Sequence, residues 1–258
     1  MSVKPKKHLG QHFLTDKNTC QKISLQYSKH KGCKRLLEIG PGMGALTTYL
    51  LQQEDLDVTV MEIDRDSINY LSTHFPALQG KIISGDFLKM DLKEAMGNEP
   101  FSVVGNFPYN ISSQIIFKCL EYRHQIPEIM GMFQKEMAER IAEKPGSKTY
   151  GIISVLTQAF YNIEYCFTVD EHVFNPPPKV KSGVIRCTRN EREELPCNEK
   201  LFIQLVKMAF NQRRKTIRNS IKSLMTNGPI DHPYLQLRPE VLSVEQFIEL
   251  TQIIESSV

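Results

Sequence analysis

Two rhythms of apolar spacing alternate along this chain. Short runs such as Leu36-Leu37-Glu38-Ile39, Val58-Thr59-Val60-Met61, Lys81-Ile82-Ile83-Ser84 and Phe101-Ser102-Val103-Val104 read as buried strands, and helical spacing fills the stretches between them. Ile152-Ile153-Ser154-Val155 and Ser182-Gly183-Val184-Ile185-Arg186-Cys187 offer apolar runs for later elements of the same sheet. Residues 31 to about 190 therefore predict a mostly parallel sheet flanked by helices. Ahead of it, Cys20, Ile23, Leu25 and Tyr27 outline a short helix within an N-terminal arm, residues 1–30. The charged segment Arg189-Asn190-Glu191-Arg192-Glu193-Glu194 reads as a linker. Beyond it, Phe202, Leu205, Val206, Ala209 and Phe210 recur at helical spacing, as does the pattern from Val244 to Leu250. The expected organisation is an α/β domain over residues 1–190 and a small all-helical domain over 196–258.

Chemistry-bearing residues gather at the ends of the strand patterns. The first run leads into Gly40-Pro41-Gly42-Met43-Gly44, with helical spacing at Leu46, Tyr49 and Leu50 after it. Three glycines at alternate positions let the backbone approach a ligand where a β-carbon would clash. The second run ends in Glu62-Ile63-Asp64, and an acid there is placed to accept hydrogen bonds from ribose hydroxyls. The third ends in Gly85-Asp86-Phe87, where Asp86 is a candidate acceptor for an adenine amino group. Taken singly, each acid reads as a solvated loop charge.

The fourth run ends in Gly105-Asn106-Phe107-Pro108-Tyr109-Asn110. An exocyclic aromatic amine is a poor nucleophile because its lone pair is delocalised into the ring. It needs acceptors for both N–H groups and a flat partner for its ring. The Asn106 side-chain oxygen and a carbonyl at Phe107 or Pro108 are candidate acceptors, and Tyr109 is a candidate stacking surface. An ordinary strand-to-loop turn with an Asn-x-Pro signal is the plainer reading of these residues alone. In chain order, the glycine loop, two acids and this tetrad resemble the arrangement of S-adenosylmethionine-dependent methyltransferases that act on amino nitrogens.

More of the chain narrows the resemblance. Lys7-His8-Leu9-Gly10-Gln11-His12-Phe13-Leu14-Thr15-Asp16, Glu38 to Thr47, Glu62-Ile63-Asp64, Gly85-Asp86, Asn106 to Ser112 and Phe133-Gln134-Lys135-Glu136 are all similar to motifs of the rRNA adenine N6,N6-dimethyltransferases. So are Val173-Phe174-Asn175-Pro176-Pro177-Pro178-Lys179-Val180-Lys181-Ser182 and Arg213-Arg214-Lys215-Thr216-Ile217-Arg218-Asn219. The match is best with the bacterial branch that dimethylates two adjacent adenosines in a hairpin near the 3′ end of small-subunit rRNA. Two departures flank the acceptor groups: Phe107 stands where the family commonly has Leu, and Ser113-Gln114 stands where many relatives carry Thr-Pro.

The resemblance implies a Rossmann-like class I methyltransferase sheet with a small C-terminal helical domain, and S-adenosylmethionine as the cofactor. It places His12 and Leu14 over the cofactor, Gly40 close against it, Glu62 on its ribose and Asp86 on its adenine. Asn106 would lie between cofactor and target base, with Pro108 beside it. Phe174 would stack on the base opposite Tyr109; the alternative is an apolar anchor for the proline-rich loop. The implied partner is small-subunit rRNA in a pre-30S particle, with no membrane or DNA partner, and the protein is expected to be a monomer.

Composition changes this picture little. The formal charge of +3 and pI near 8.4 are only mildly basic, so nucleic-acid binding would need local patches. Lys4, Lys6, Lys7 and His8 precede any acid, and Asn211 to Lys222 holds Arg213, Arg214, Lys215, Arg218 and Lys222 with no acid among them. Arg214 and Arg218 are four apart, which on one helix would put both on a phosphate-binding face; a solvated face is the alternative. The six cysteines have neither C-x-x-C spacing nor paired histidines, so no metal is expected. With the first motif already begun at Lys7 and no apolar run of membrane length, a cytoplasmic location is expected. Competing functions are a methyltransferase acting on large-subunit rRNA, a DNA adenine methyltransferase, and an assembly or transcription factor that has lost the chemistry. The Arg213–Asn219 stretch argues against the first, and the short C-terminal region leaves little room for the recognition domain of the second. Intact Glu62, Asp86, Asn106 and Tyr109 argue against the third.

Overall fold

The computed structural model describes residues 3–225, 228 and 230–256; the outermost ends of the two expected domains lie outside the described residues. Among those described, the chain forms two compact units, Met1–Ala138 with Asn162–Arg189, and Glu139–Tyr161 with Asn190–Val258.

The first unit is built on a seven-stranded sheet. A two-residue strand, β1 (Phe13–Leu14), comes first in the chain and belongs to the arm. The sheet itself takes β2 (Arg35–Ile39), β3 (Asp57–Glu62), β4 (Ile82–Ser84), β5 (Ser102–Asn106), β6 (Glu128–Gln134) and β7 (Tyr161–Val169). After the short β8 (Phe174–Asn175), β9 (Ser182–Arg189) completes it. The strand order is β4-β3-β2-β5-β6-β9-β7. Pairs β2–β3, β3–β4, β2–β5 and β5–β6 are parallel, and β6–β9 is antiparallel. The middles of the central strands are mainly apolar because a parallel strand covered on both faces has no solvent side; Leu36, Leu37, Val60, Val103 and Val104 are fully buried. Chain order reverses between β2 and β5, so the crevice outside their carboxyl ends is where a ligand fits in such a sheet.

The helices are α1 (Lys17–Gln26), α2 (Thr47–Leu50), α3 (Arg65–His74), α4 (Leu92–Met96), α5 (Ser112–Glu121), α6 (Lys135–Ala142), α7 (Ile152–Gln158), α8 (Glu199–Asn211), α9 (Ile217–Ser220) and α10 (Val244–Glu255). Several start where an oxygen accepts the orphan N–H groups of the first turn. Asp16 takes Thr19 N–H at 2.7 Å ahead of α1, and Ser243 and Gln246 form a capping box at α10. In α1 the inward face is Cys20, Ile23 and Ser24, continued by Tyr27 just past the helix end, while Leu25 is 68 % exposed. The i, i+3, i+4, i+7 stripe runs through Ser24, and Leu25 lies about 100° round from it.

The arm is tied down at several points. β1 pairs antiparallel with β8, joining Leu14 to Phe174 and Phe13 to Asn175. Lys6 bridges the buried Asp64 and reaches Asp66 at 2.7 Å, and Gln11 donates to Asp64 at 3.4 Å.

The second unit corrects one expectation. Ile152-Ile153-Ser154-Val155 lies in α7, away from any strand of the sheet. A four-residue apolar run does not separate a strand from a buried helix, and Ser154 decides it here. Its hydroxyl accepts Gly151 N–H at 3.0 Å and donates to the Arg140 carbonyl at 2.5 Å, which starts a helix. Residues 139–161 thus join the later helices as part of a helical unit. Its core is aromatic, with the Phe210 ring centroid 6.0 Å from Tyr150 and 5.9 Å from Phe247.

Candidate active site

The loop after β2 is shaped by its glycines. Gly40 and Gly42 adopt φ of +64° and +57°, and a β-carbon on Gly42 would sit 2.8 Å from the Phe13 ring. A β-carbon on Gly40 would meet nothing within 4 Å, because it would point into the cavity that this residue lines. Glu62, at the end of β3, holds the loop. Its Oε2 accepts Gly42 N–H at 3.0 Å, and its Oε1 accepts the N–H groups of Ile63 and Asp64, both at 2.9 Å. Burial pushes the Glu62 carboxyl up, and the three N–H donors pull against that rise.

Two more acids surround this loop. Glu38 is 2 % exposed and accepts the Thr47 hydroxyl at 2.6 Å. Burial pushes its carboxyl up to about 8, with Thr47 opposing. Asp64 behaves in the opposite way. Burial works against its charge, but bonds from Lys6, Gln11 and Ser67 outweigh that, and its carboxyl sits below the usual range.

A cavity of about 230 Å³ opens at the carboxyl ends of β2, β3, β4 and β5, under the arm. Asp86 lines it with an oxygen accepting Leu88 N–H at 3.0 Å and with Lys89 at 3.7 Å. Asn106, the last residue of β5, donates its Nδ2 to the His12 carbonyl at 2.9 Å. Only the amide NH₂ can donate to a carbonyl, so this bond fixes which way the side chain faces. Its Oδ1 has no hydrogen-bond partner among the described residues. The carbonyls beyond it differ: Pro108 O accepts Ile111 N–H at 3.2 Å, whereas Phe107 O has no partner among the described residues. The Tyr109 hydroxyl lies 2.6 Å from Ser182 Oγ, and its ring stacks on His12 at 5.6 Å. Burial pushes the Tyr109 phenol up, with Ser182 opposing. His12 Nδ1 in turn lies 2.7 Å from the Pro176 carbonyl.

His12, Gly40, Glu62, Asp86, Asn106, Pro108 and Tyr109 therefore surround one cavity. Leu14 lines a smaller adjoining cavity of about 40 Å³, together with Glu38, Gly40 and Asn106. Phe174 lines neither. It is 3 % exposed, the strand partner of Leu14, and packed into the apolar cluster with Leu14 and Ile23. Its ring faces the core in this arrangement, as an anchor for the Asn-Pro-Pro-Pro loop.

The basic segment also differs from its expected form. The helix stops at Asn211, residues 212–215 form a turn, and α9 restarts after an extended Thr216, so Arg214 and Arg218 share no helix face. Arg214 and Lys215 are exposed and Arg213 is half-buried. Arg218, also half-buried, lies 3.7 Å from Asp231, an acid outside the acid-free run.

Four contacts of the site carry no signal in the sequence: Phe13 over Gly42, Thr47 on Glu38, Lys6 and Gln11 on Asp64, and Ser182 on Tyr109. Each joins residues that have no local pattern linking them.

A sheet of this order, with a glycine loop after β2 and acids at the next strand ends, defines the class I S-adenosylmethionine-dependent methyltransferase fold. Solved structures agree. The chain is similar to a dimethyladenosine transferase from Plasmodium falciparum, with a TM-score of 0.78 and 25% identity over 95% of this chain and 98% of that one. It shares the fold of the 23S rRNA methyltransferase ErmE, with a TM-score of 0.65 and 24% identity over 93% of this chain and 99% of that one. Among curated relatives, it is 58% identical to the ribosomal RNA small subunit methyltransferase A of Flavobacterium johnsoniae, over 98% of this chain and 97% of the relative. The protein of that name in Cytophaga hutchinsonii is 56% identical, over 98% of each chain. The family model for ribosomal RNA adenine dimethylase matches residues 2–255, and the chain belongs to that family. Among the described residues, no helix is long and apolar enough to cross a membrane.

Proposed function

We propose that this enzyme dimethylates N6 of two adjacent adenosines in the 3′-terminal hairpin of small-subunit rRNA, within a pre-30S particle in the cytoplasm, and works as a monomer. The observation that carries the reading is the pair of open acceptors at the end of β5. Asn106 Oδ1 is turned by its bond to His12, and the Phe107 carbonyl follows one residue later. The relatives named small subunit methyltransferase A support the choice of subunit.

The residues present fit S-adenosylmethionine. Gly40 offers open space at the cavity wall, Glu62 Oε2 keeps a lone pair beyond its single backbone bond, and Asp86 lines the same cavity. His12 and Leu14 would cover the group from the arm. When bound, it supplies an electrophilic methyl on a sulfonium. The chain's own part is positioning, which is worth about 7–11 kcal/mol for well-oriented reactants. Asn106 Oδ1 and the Phe107 carbonyl accept the two N–H groups of the amine and favour the positive charge it gains on attack. Tyr109, held by Ser182, offers its ring to the adenine. The alkylated amine is acidic and loses its proton to solvent, so no strong base is required. The target base must leave its stack, at a cost of a few kcal/mol. Exposed Arg214 and Lys215 in the second unit are the RNA contacts we favour within the basic segment, with Arg213 and Arg218 in support.

The test is radiolabelled methyl transfer to undermethylated small subunits, large subunits and DNA in parallel, with product nucleosides resolved. Dimethyladenosine from small subunits alone is the expected result. Label in large-subunit RNA would replace the substrate assignment, and no label with cofactor and RNA binding intact would favour an assembly factor.

A further inference from the structure

The two strands that meet beside the acceptors both carry glycine at facing positions. Gly105 of β5 and Gly131 of β6 are register partners in a parallel pair. A β-carbon on Gly105 would stand 2.7 Å from the Ile39 carbonyl and 2.9 Å from the Phe107 ring. A β-carbon on Gly131 would stand 2.6 Å from Phe107 Cδ2 and nearer still to Cε2. Two neighbouring positions without side chains leave a slot on one face of the sheet, and the Phe107 ring folds back to fill it. The residue is 1 % exposed. Phe133, two residues beyond Gly131, closes the slot edge-on, with ring centroids 5.2 Å apart at 73°.

The backbone of the same residue is held as well. Phe107 N–H donates to the Met132 carbonyl at 3.2 Å, one rung past the end of β5. Phe107 is thus fixed by its ring below and by its N–H at the side, while its carbonyl has no hydrogen-bond partner among the described residues and the residue lines the cavity. A close-packed ring has no room to move without moving its own peptide. Any shift of the ring in the slot therefore turns the Phe107–Pro108 peptide and the carbonyl on it, and it pulls on Asn106 next door.

We propose that Phe107 and the Gly105–Gly131 slot set the position of the acceptor pair, which makes Phe107 a positioning residue for methyl transfer and Gly131 its complement. This rests on the reading of Asn106 Oδ1 and the Phe107 carbonyl as the groups that hold the amine. It assigns the Phe at this position a partner on the neighbouring strand, so the two residues should be exchangeable only together.

The experiment is a double-mutant cycle of Gly131→Ala, Phe107→Leu and the pair, with Asn106→Ala as a separate arm. Each protein is assayed for methyl transfer to undermethylated small subunits, for cofactor affinity by calorimetry and for thermal midpoint. Gly131→Ala should lower kcat by about 10²-fold, the scale of a misplacement near 1 Å, with cofactor affinity within about two-fold of wild type. Phe107→Leu should recover at least about ten-fold of that loss in the double variant, because the shorter side chain frees room for the added methyl. Wild-type kcat in Gly131→Ala would overturn the proposal, as would a loss that Phe107→Leu does not relieve. If Gly131→Ala does not fold, Phe107→Leu alone decides: a lower kcat at unchanged cofactor affinity supports the slot, and wild-type kcat overturns it. Undiminished turnover in Asn106→Ala would instead sink the acceptor reading itself. A normal Asn106→Ala loss beside a flat cycle would remove this proposal alone.

Discussion

The two sides of the cavity spend their polar groups differently. On the side of β2 and β3, the carboxyl groups are occupied by the protein itself. Glu62 accepts three backbone N–H groups, Glu38 takes the Thr47 hydroxyl, and Asp64 gathers Lys6, Gln11 and Ser67. On the side of β5, Asn106 uses its amide nitrogen on His12, and its oxygen and the next carbonyl are left without partners among the described residues. Asn106 and Phe107 both line the cavity, and an acceptor there that has no protein partner is free to take a ligand's donor. One side builds a rigid loop, and the other leaves hydrogen-bonding capacity unused by the protein.

That contrast can be broken at either side. Glu62→Gln leaves one acceptor oxygen for three N–H groups and turns an NH₂ towards one of them. It should cost about 2–4 kcal/mol of stability in urea denaturation and weaken cofactor binding; an unchanged midpoint would contradict the loop-holding role. Tyr109→Ala removes the proposed stacking ring, and the loss of about 1–3 kcal/mol should fall on RNA-dependent turnover while cofactor affinity holds. Equal kinetics would return Tyr109 to a packing role.

Glu38 sharpens the comparison through pH. Its carboxyl is protonated in the folded protein up to about 8, against an ordinary value of 4.5 in the unfolded chain. Between those values the folded state holds one more proton, so this group makes stability fall as pH rises, by ~1.4 kcal/mol per unit. Denaturation of wild type and Glu38→Gln from pH 5 to 8 should show that slope in the difference; parallel curves would mean Glu38 is ionised in the fold. The smallest effect expected is at the turn after α8. Arg214→Glu should reduce the slope of log affinity for RNA against log salt by about 0.7–0.9, and an unaltered slope would leave the turn a solvated face.

Strand tips were legible in the sequence because both of their signals are local. A buried apolar run followed by glycines, an acid or Asn-Phe-Pro-Tyr states where the chain turns and what chemistry it carries there. The cavity duly collects Gly40, Glu62, Asp86 and Asn106. What failed needed information from elsewhere in the chain. Ile152–Val155 is helical because Ser154 bonds to Arg140, and Arg218 lies near Asp231, an acid beyond the acid-free run. Phe174 is buried because it pairs with Leu14, far away in sequence. The fit of Phe107 depends likewise on Gly131 in another strand, which nothing near Phe107 in the sequence shows.

Single-turnover methyl transfer by Asn106→Ala, measured beside its cofactor dissociation constant, decides whether the open acceptors after β5 hold the amine. The expected rate is lower by about 10²–10³-fold, the scale of losing one aimed group in a preorganised site, with cofactor affinity reduced far less. A wild-type rate, or a loss explained wholly by weaker cofactor binding, would contradict it.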